Sequence, residues 1–278
     1  MKNVVTIGGG TGSYRVLSGI KNIPNISISA IVSMADDGGS TGILRRELGV
    51  HPMGDVRQCL AALSADRDMH DFLKYRRSDG HVAGNLFLAD LEKSAGSFEK
   101  GLDIAMKVLQ IEGTVIPSTL DNAEVGVLLV TGTKIEGESK INDSKIKITD
   151  VEKIYYKDKT RQNPKAREAI KNADYLIICP GDFYTSIVTN LIVEGFKESL
   201  GASKAKIVAI EDLENSDTSQ YKTKLEWYLG KSIDTLVKKD KSFIGEEVIE
   251  KESGDALKRS TVRHDSKKLA DYLEKILI

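Results

Sequence analysis

The stretch that decides the fold is Asn3-Val4-Val5-Thr6-Ile7, followed at once by Gly8-Gly9-Gly10-Thr11-Gly12. A short apolar, β-branched run that stops at glycines reads as a buried first strand. Beyond it, Val16, Leu17 and Ile20 fall at helical spacing within residues 13–21. Ile28 to Val32 reads as a second strand, ending at Met34-Ala35-Asp36-Asp37. Strand, glycine loop, helix and strand in that order build a parallel sheet. The expected fold is α/β, a Rossmann-like doubly wound and mostly parallel sheet.

Farther along, residues 54–64, 83–95 and Phe98 to Leu109 read as helices. Between 125 and 156 the pattern changes: Val125 to Thr131, Lys134 to Ile141 and Ile146 to Tyr156 read as strands joined by turns containing Gly or Asn-Asp. This predicts a small antiparallel β insertion at about 125–156 in a single domain of residues 1–278. The α/β pattern then resumes, with a helix at Ala166 to Asn172, a strand at Tyr175 to Cys179, a helix from Thr185 to Leu200 and a strand at Lys206 to Ile210. Leu225 to Lys239 and the last dozen residues read as helix, strand and terminal helix.

Composition narrows the function. The 278 residues carry 40 basic and 41 acidic side chains, a net charge of −1, so no global basic field exists to hold nucleic acid. The two cysteines, Cys59 and Cys179, are too few for a metal quartet or a disulfide framework, and Cys179 reads as a buried hydrophobe. No stretch has the apolar length of a membrane helix, and the chain enters a strand without a signal peptide. The expected location is the cytoplasm, without membrane insertion. The run Lys238-Lys239-Asp240-Lys241 reads as a solvated face.

Glycines let a backbone approach an anion closely, and the free amides of a helix start point at it. Gly9, Gly10, Thr11 and Gly12 are therefore candidate phosphate-binding residues. The spacing is not the dinucleotide fingerprint, which would need glycine where Ser13 stands, and no Gly-Lys-Ser/Thr closes a Walker A loop. An NAD-dependent oxidoreductase is disfavoured on the same ground. Asp36 and Asp37 end the second strand, where an acid faces the ligand crevice. Either could accept a ribose hydroxyl, and Asp37 could help hold Mg²⁺, the one cofactor to consider. Gly39 and Ser40 lie in a second glycine loop at 38–42, followed by Arg45 and Arg46, whose guanidinium groups suit phosphate. Asp55 reads as a helix N-cap. His81 and Asn85 offer polar groups in Gly80-His81-Val82-Ala83-Gly84-Asn85. Gly181, Thr185 and Ser186 open the helix after the strand at 175–179, and Arg263 sits at the end of a strand in Val262-Arg263-His264-Asp265. Thr185 and Ser186 could cap that helix or donate to a phosphate.

Several segments together are similar to the gluconeogenesis-factor (YvcK-like) family of the CofD-like superfamily: GGGTG at 8–12, ADDGGSTG at 35–42, PMGDVRQCLAALS at 52–64, GHVAGNL at 80–86, VLQIEGTVIPST at 108–119, EGESKI at 136–141, NADYLIICPGDFYTSIVTNLIV at 172–193 and RHDSKKLADYL at 263–273. The resemblance implies a binding or regulatory protein that takes a UDP-sugar such as UDP-N-acetylglucosamine. It would support cell-wall synthesis and cell shape on gluconeogenic carbon sources, as a homo-oligomer with cell-wall synthesis proteins as partners. The alternative implied by the superfamily is a phosphotransferase of the 2-phospho-L-lactate transferase type, acting on a deazaflavin F420 precursor with a guanosine diphospho donor and Mg²⁺. Ser33-Met34-Ala35-Asp36-Asp37 followed by Gly-Gly-Ser-Thr-Gly fits the gluconeogenesis factors better than the Asn-Thr-Gly-Asp-Asp pattern of the transferases. One segment departs from the gluconeogenesis factors: after residues 206–210 they carry an Asn-Leu-Met-Thr-like stretch, whereas this chain reads Glu211-Asp212-Leu213-Glu214-Asn215-Ser216-Asp217-Thr218. Acidic side chains repel a diphosphate unless a metal intervenes, so sugar or second-substrate specificity stays open here.

Overall fold

Strand β1 (Lys2–Gly8) and strand β2 (Ile26–Val32) pair in parallel, with helix α1 (Gly10–Ile20) between them in sequence. These are coordinates of a computed structural model, which describes residues 1–213, 218–240, 243, 245, 248–251, 258–261 and 263–278. Helices α2 (Gly39–Leu48), α3 (Gly54–Leu63), α4 (Arg67–Lys74), α5 (Ala83–Ala95) and α6 (Phe98–Val108) follow, and then β3 (Thr114–Pro117), parallel to β2. After β4 (Val125–Leu129), β5 (Lys134–Glu136), α7 (Glu138–Asp143), β6 (Val151–Tyr156) and α8 (Pro164–Lys171), the chain returns to the main sheet as β7 (Tyr175–Ile178) beside β1. Then come α9 (Thr189–Leu191), α10 (Phe196–Ala202), β8 (Lys206–Ile210), α11 (Thr218–Leu229), β9 (Thr235–Val237), β10 (Val248–Lys251), β11 (Lys258–Thr261) and α12 (Ser266–Leu277).

The main sheet has six strands in the order β3-β2-β1-β7-β8-β9, every neighbouring pair parallel. The chain first builds outward from β1 and then restarts on its other side at β7. The point between β1 and β7 is the topological switch point, where connections leave in opposite directions and a crevice opens at the carboxyl ends of the strands.

Both faces of the sheet are covered, which is why its strands are almost continuously apolar. Side chains alternate: on β7, Ile177 packs on one core with Val4, Leu17 and Leu60, while Leu176 and Ile178 pack on the other with Ile7, Phe196 and Leu225. Cys179 is fully buried beneath the switch point.

Four expectations need correction. The strand expected at Lys134 to Ile141 stops at Glu136, and α7 begins two residues later. Gly137 takes φ +100, a conformation that ends a strand, and Asp37 caps the helix that follows. The strand expected from Ile146 begins only at Val151, after a 3-10 turn at Ile148–Asp150. The single helix expected at Thr185 to Leu200 is a π-helical turn, Phe183–Val188, then α9, then a turn through Gly195 into α10. Strand β3 completes the sheet's edge from a stretch without a strand assignment in the sequence reading. The expected insertion is present, as a three-stranded antiparallel sheet of order β5-β4-β6. In the charge run, Lys238 to Asp240 are exposed and Lys241 lies outside the described residues. No helix among the described residues is long and apolar enough to cross a membrane.

Candidate functional site

The first turn of α1 is pressed against the end of β7. A side chain on Gly12 would place its Cβ 1.8 Å from the carbonyl oxygen of Pro180, so glycine alone lets the two loops touch. Over this junction lies a cavity of about 780 Å³. Gly9, Thr11, Gly12 and Arg15 form one side, Pro180, Gly181, Asp182 and Ser186 another. The insertion supplies Asn142 and residues 146–149, and the chain beyond β8 supplies Asp212, Gln220, Arg263 and His264.

The insertion is pinned in place as a wall. Tyr156 donates its hydroxyl proton to the Thr189 carbonyl (2.7 Å), Tyr184 to the Ile148 carbonyl (2.8 Å), and Thr185 to Asn142 Oδ1 (2.7 Å). Thr185 is buried and not on the cavity surface. Its amide and that of Tyr184 donate to Asp182 Oδ1, at 2.9 and 3.0 Å, so Asp182 caps the π-helical turn and occupies those amides.

Arg15 escaped the sequence reading. It lies four residues after Thr11 on α1, the spacing that stacks two side chains on one helix face, and this was the available signal. Its Nε is buried and has no hydrogen-bond partner among the described residues. A buried, unmatched guanidinium N–H facing a cavity suits an anion. Arg263 and Lys147 add positive charge from two other walls. Burial holds the His264 imidazole below the usual range, with the Arg15 charge acting in the same direction and Asp212 against it.

A second set of expected residues gathers on the α3 side of the glycine loop. The Gly10 amide donates to the Asp55 carboxylate, and a Cβ on Gly9 would meet Asp55 Oδ2 at 2.4 Å. Asp55 is thus not an N-cap: Met53 occupies that position, and the Asp55 side chain turns to the loop. Asp36 accepts from the Gly38 amide (2.9 Å) and from the Thr41 hydroxyl, with bare Gly54 packed on its other oxygen. Glu138, at the start of α7, completes the group and takes a hydrogen bond from the Asn142 side-chain amide. Burial is the largest cause that raises all three carboxyls, and repulsion from neighbouring carboxylates adds to it: Asp37 on Asp36, Asp36 on Asp55, and Asp36, Asp55 and Asp37 on Glu138. Asp55 and Glu138 are each pushed up to about 8.

Asp37 does not face the cavity. Its carboxylate accepts from the amides of Glu138 (3.0 Å) and Ser139 (2.8 Å) and from the Ser139 hydroxyl (2.6 Å). It fastens the insertion to the loop after β2. No three His, Cys, Asp or Glu side chains among the described residues are grouped as metal ligands. Arg45 donates to the Asp36 carbonyl (2.9 Å) and to Asn122 Oδ1 (3.0 Å). Ser40 meets His81 Nδ1 at 3.1 Å, and Asn85 accepts from Arg57 Nε at 2.9 Å. Gly39 starts α2 beside them. Of the expected site residues, Gly9, Thr11, Gly12, Gly181, Ser186 and Arg263 line the cavity, whereas Gly10, Asp36, Asp37, Gly39, Ser40, Arg45, His81, Asn85 and Thr185 do not.

A doubly wound parallel sheet with a polar cavity at its switch point defines a Rossmann-like α/β protein. The chain belongs to the CofD family: the model described as 2-phospho-L-lactate transferase CofD matches residues 4–277. A relative from Thermotoga maritima is 37% identical, with 98% of each chain covered. The gluconeogenesis factor of Halalkalibacterium halodurans is 39% identical over 79% of this chain and 70% of its own length. Some relatives are longer, and the chain spans only 45% of the one from Nostoc sp.. A crystal structure of a Bacillus halodurans protein superposes with a TM-score of 0.83 at 29% identity, covering 98% of this chain and 99% of that one.

Proposed function

We propose that this chain is a gluconeogenesis factor that binds a nucleotide-sugar diphosphate, UDP-N-acetylglucosamine foremost, in the switch-point cavity. It would work as a cytoplasmic homo-oligomer that relays this ligand's level to cell-wall synthesis and cell shape on gluconeogenic carbon sources. The observation that carries the reading is the convergence of the α1 N-terminus with Arg15 and Arg263 on one cavity. Helix amides and guanidinium groups on a recessed surface are what a diphosphate needs. The relatives named gluconeogenesis factors support the link to gluconeogenic growth.

One observation favours the transferase alternative. Asp55 lies deep beside the glycine loop with its carboxyl raised to about 8, a value suited to a general base for an acceptor hydroxyl.

The test is to incubate the pure protein with UDP-N-acetylglucosamine, and separately with a deazaflavin acceptor, a guanosine diphospho donor and Mg²⁺, following both by mass spectrometry. Saturable UDP-sugar binding without turnover is expected. A phosphodiester-linked deazaflavin would make the protein a transferase. Arg15→Ala should weaken UDP-N-acetylglucosamine binding by roughly 10- to 100-fold, the usual loss for a hydrogen bond to a charged group. An unchanged affinity by calorimetry would remove Arg15 from the site.

A further inference from the structure

The acidic residues after β8 divide between two environments. Glu211 is fully buried and its Oε2 accepts from the Lys239 amide at 3.2 Å. Asp212, the next residue, lines the cavity. Among the described residues the other carboxylate that lines it is Asp182, which caps the π-helical turn.

In a doubly wound sheet the nucleotide lies across the carboxyl ends of the strands at the switch point, and an acid at a strand end meets its ribose. In the first half of this sheet that acid would be Asp36. Here Asp36 is turned to Gly38, Thr41 and Gly54, away from the cavity. In the second half the equivalent place is the end of β8, beside β7, and Asp212 stands there. The amides that could have held a phosphate at the π-helical turn are occupied by Asp182, so the anion end falls to α1. From the end of β1 to the end of β8 is two strand spacings, about 10 Å, which a nucleoside diphosphate spans from its outer phosphate to its ribose.

We infer that Asp212 accepts hydrogen bonds from the ribose hydroxyls of the bound nucleoside diphosphate, so that the site selects ribonucleotides over deoxyribonucleotides. The ligand lies across the end of β7, with its phosphates at Gly12 and Arg15 and its ribose at Asp212. The base then points toward Gln220 on α11. This rests on the nucleotide-sugar reading above, and it gives the acidic segment a role in binding rather than exclusion.

The experiment is calorimetric titration of the wild type, Asp212→Ala and Asp212→Asn with UDP-N-acetylglucosamine and with its 2′-deoxyuridine analogue, after thermal melts have shown which variants fold. The wild type should prefer the ribose form by roughly 10-fold or more, as expected for one hydrogen bond to a carboxylate. Folded Asp212→Ala should bind both forms alike, at or below the wild type's affinity for the deoxy form, and Asp212→Asn, which keeps one acceptor oxygen without the charge, should show a reduced preference. A wild type that binds both forms equally, or an Asp212→Ala protein that keeps the preference, overturns the assignment and leaves the nucleotide-sugar reading standing. A wild type that binds neither form overturns that reading as well.

Discussion

Gly12→Ala should abolish ligand binding and destabilise the fold by at least about 3 kcal/mol, beyond the usual cost of one extra methyl in a packed core. The added Cβ would stand 1.8 Å from the Pro180 carbonyl oxygen and 2.7 Å from its carbon. Neither partner can retreat cheaply. Pro180 follows β7, which is paired on both sides, and α1 is packed at its other end, where a Cβ on Gly19 would meet the Ser266 carbonyl at 2.3 Å. Relief must come from lifting the start of α1 off the sheet, which moves Thr11 in its first turn and Arg15 in its second. Denaturant melts and titration with UDP-N-acetylglucosamine read both effects. Gly201→Ala is the control: it lies in α10 with open space before it, and stability should stay level or rise slightly. Wild-type melting by Gly12→Ala would contradict the close contact.

The second large effect concerns Asp55. Its carboxyl, ordinarily near 3.8, is pushed up to about 8, first by burial and then by repulsion from Asp36. Between these two values the folded protein keeps the proton and the unfolded chain releases it. The contribution of this group to stability is therefore fully present at and below pH 4 and is lost as pH rises toward 8, at up to about 1.4 kcal/mol per pH unit. Glu138, raised to about 8 by burial and its acidic neighbours, acts in the same direction. Asp55→Asn removes the titration and keeps an oxygen for the Gly10 amide. It should stabilise the protein by roughly 2–4 kcal/mol at pH 8 and by little at pH 4, with part of the gain arising because Asp36 and Glu138 lose a repelling neighbour. Melting temperature against pH for the two proteins measures this. Parallel curves would show that Asp55 carries no strained charge.

Much of the fold was legible because parallel strands buried on both faces leave apolar runs that end at their turns. Val4 to Ile7, Ile28 to Val32, Leu176 to Cys179 and Ile207 to Ile210 all read this way, and all lie in the sheet or at its end. The insertion was legible as a region but not in detail. Whether Glu138 to Asp143 is strand or helix depends on a cap from Asp37, about a hundred residues earlier in the chain. The candidate site was legible where loops meet the sheet, at Gly9, Gly12, Gly181 and Ser186. It was illegible where tertiary contacts redirect a side chain. Asp55 has the pattern of a helix cap yet turns to the glycine loop, Asp37 has the position of a ligand residue yet serves the insertion, and Glu211 and Asp212 are alike in sequence yet face core and cavity. The Glu214 to Asp217 part of that acidic segment and Val262 lie outside the described residues.

The central claim is that the cavity between the ends of β1 and β7 holds a diphosphate. A crystal structure of the protein with UDP-N-acetylglucosamine tests it most directly. The diphosphate is expected within hydrogen-bonding distance of the α1 amides at Thr11 and Gly12 and of the Arg15 guanidinium, with the ribose on the β8 side. A ligand bound among Ser40, His81 and Arg57, with the switch-point cavity left to solvent, would contradict it.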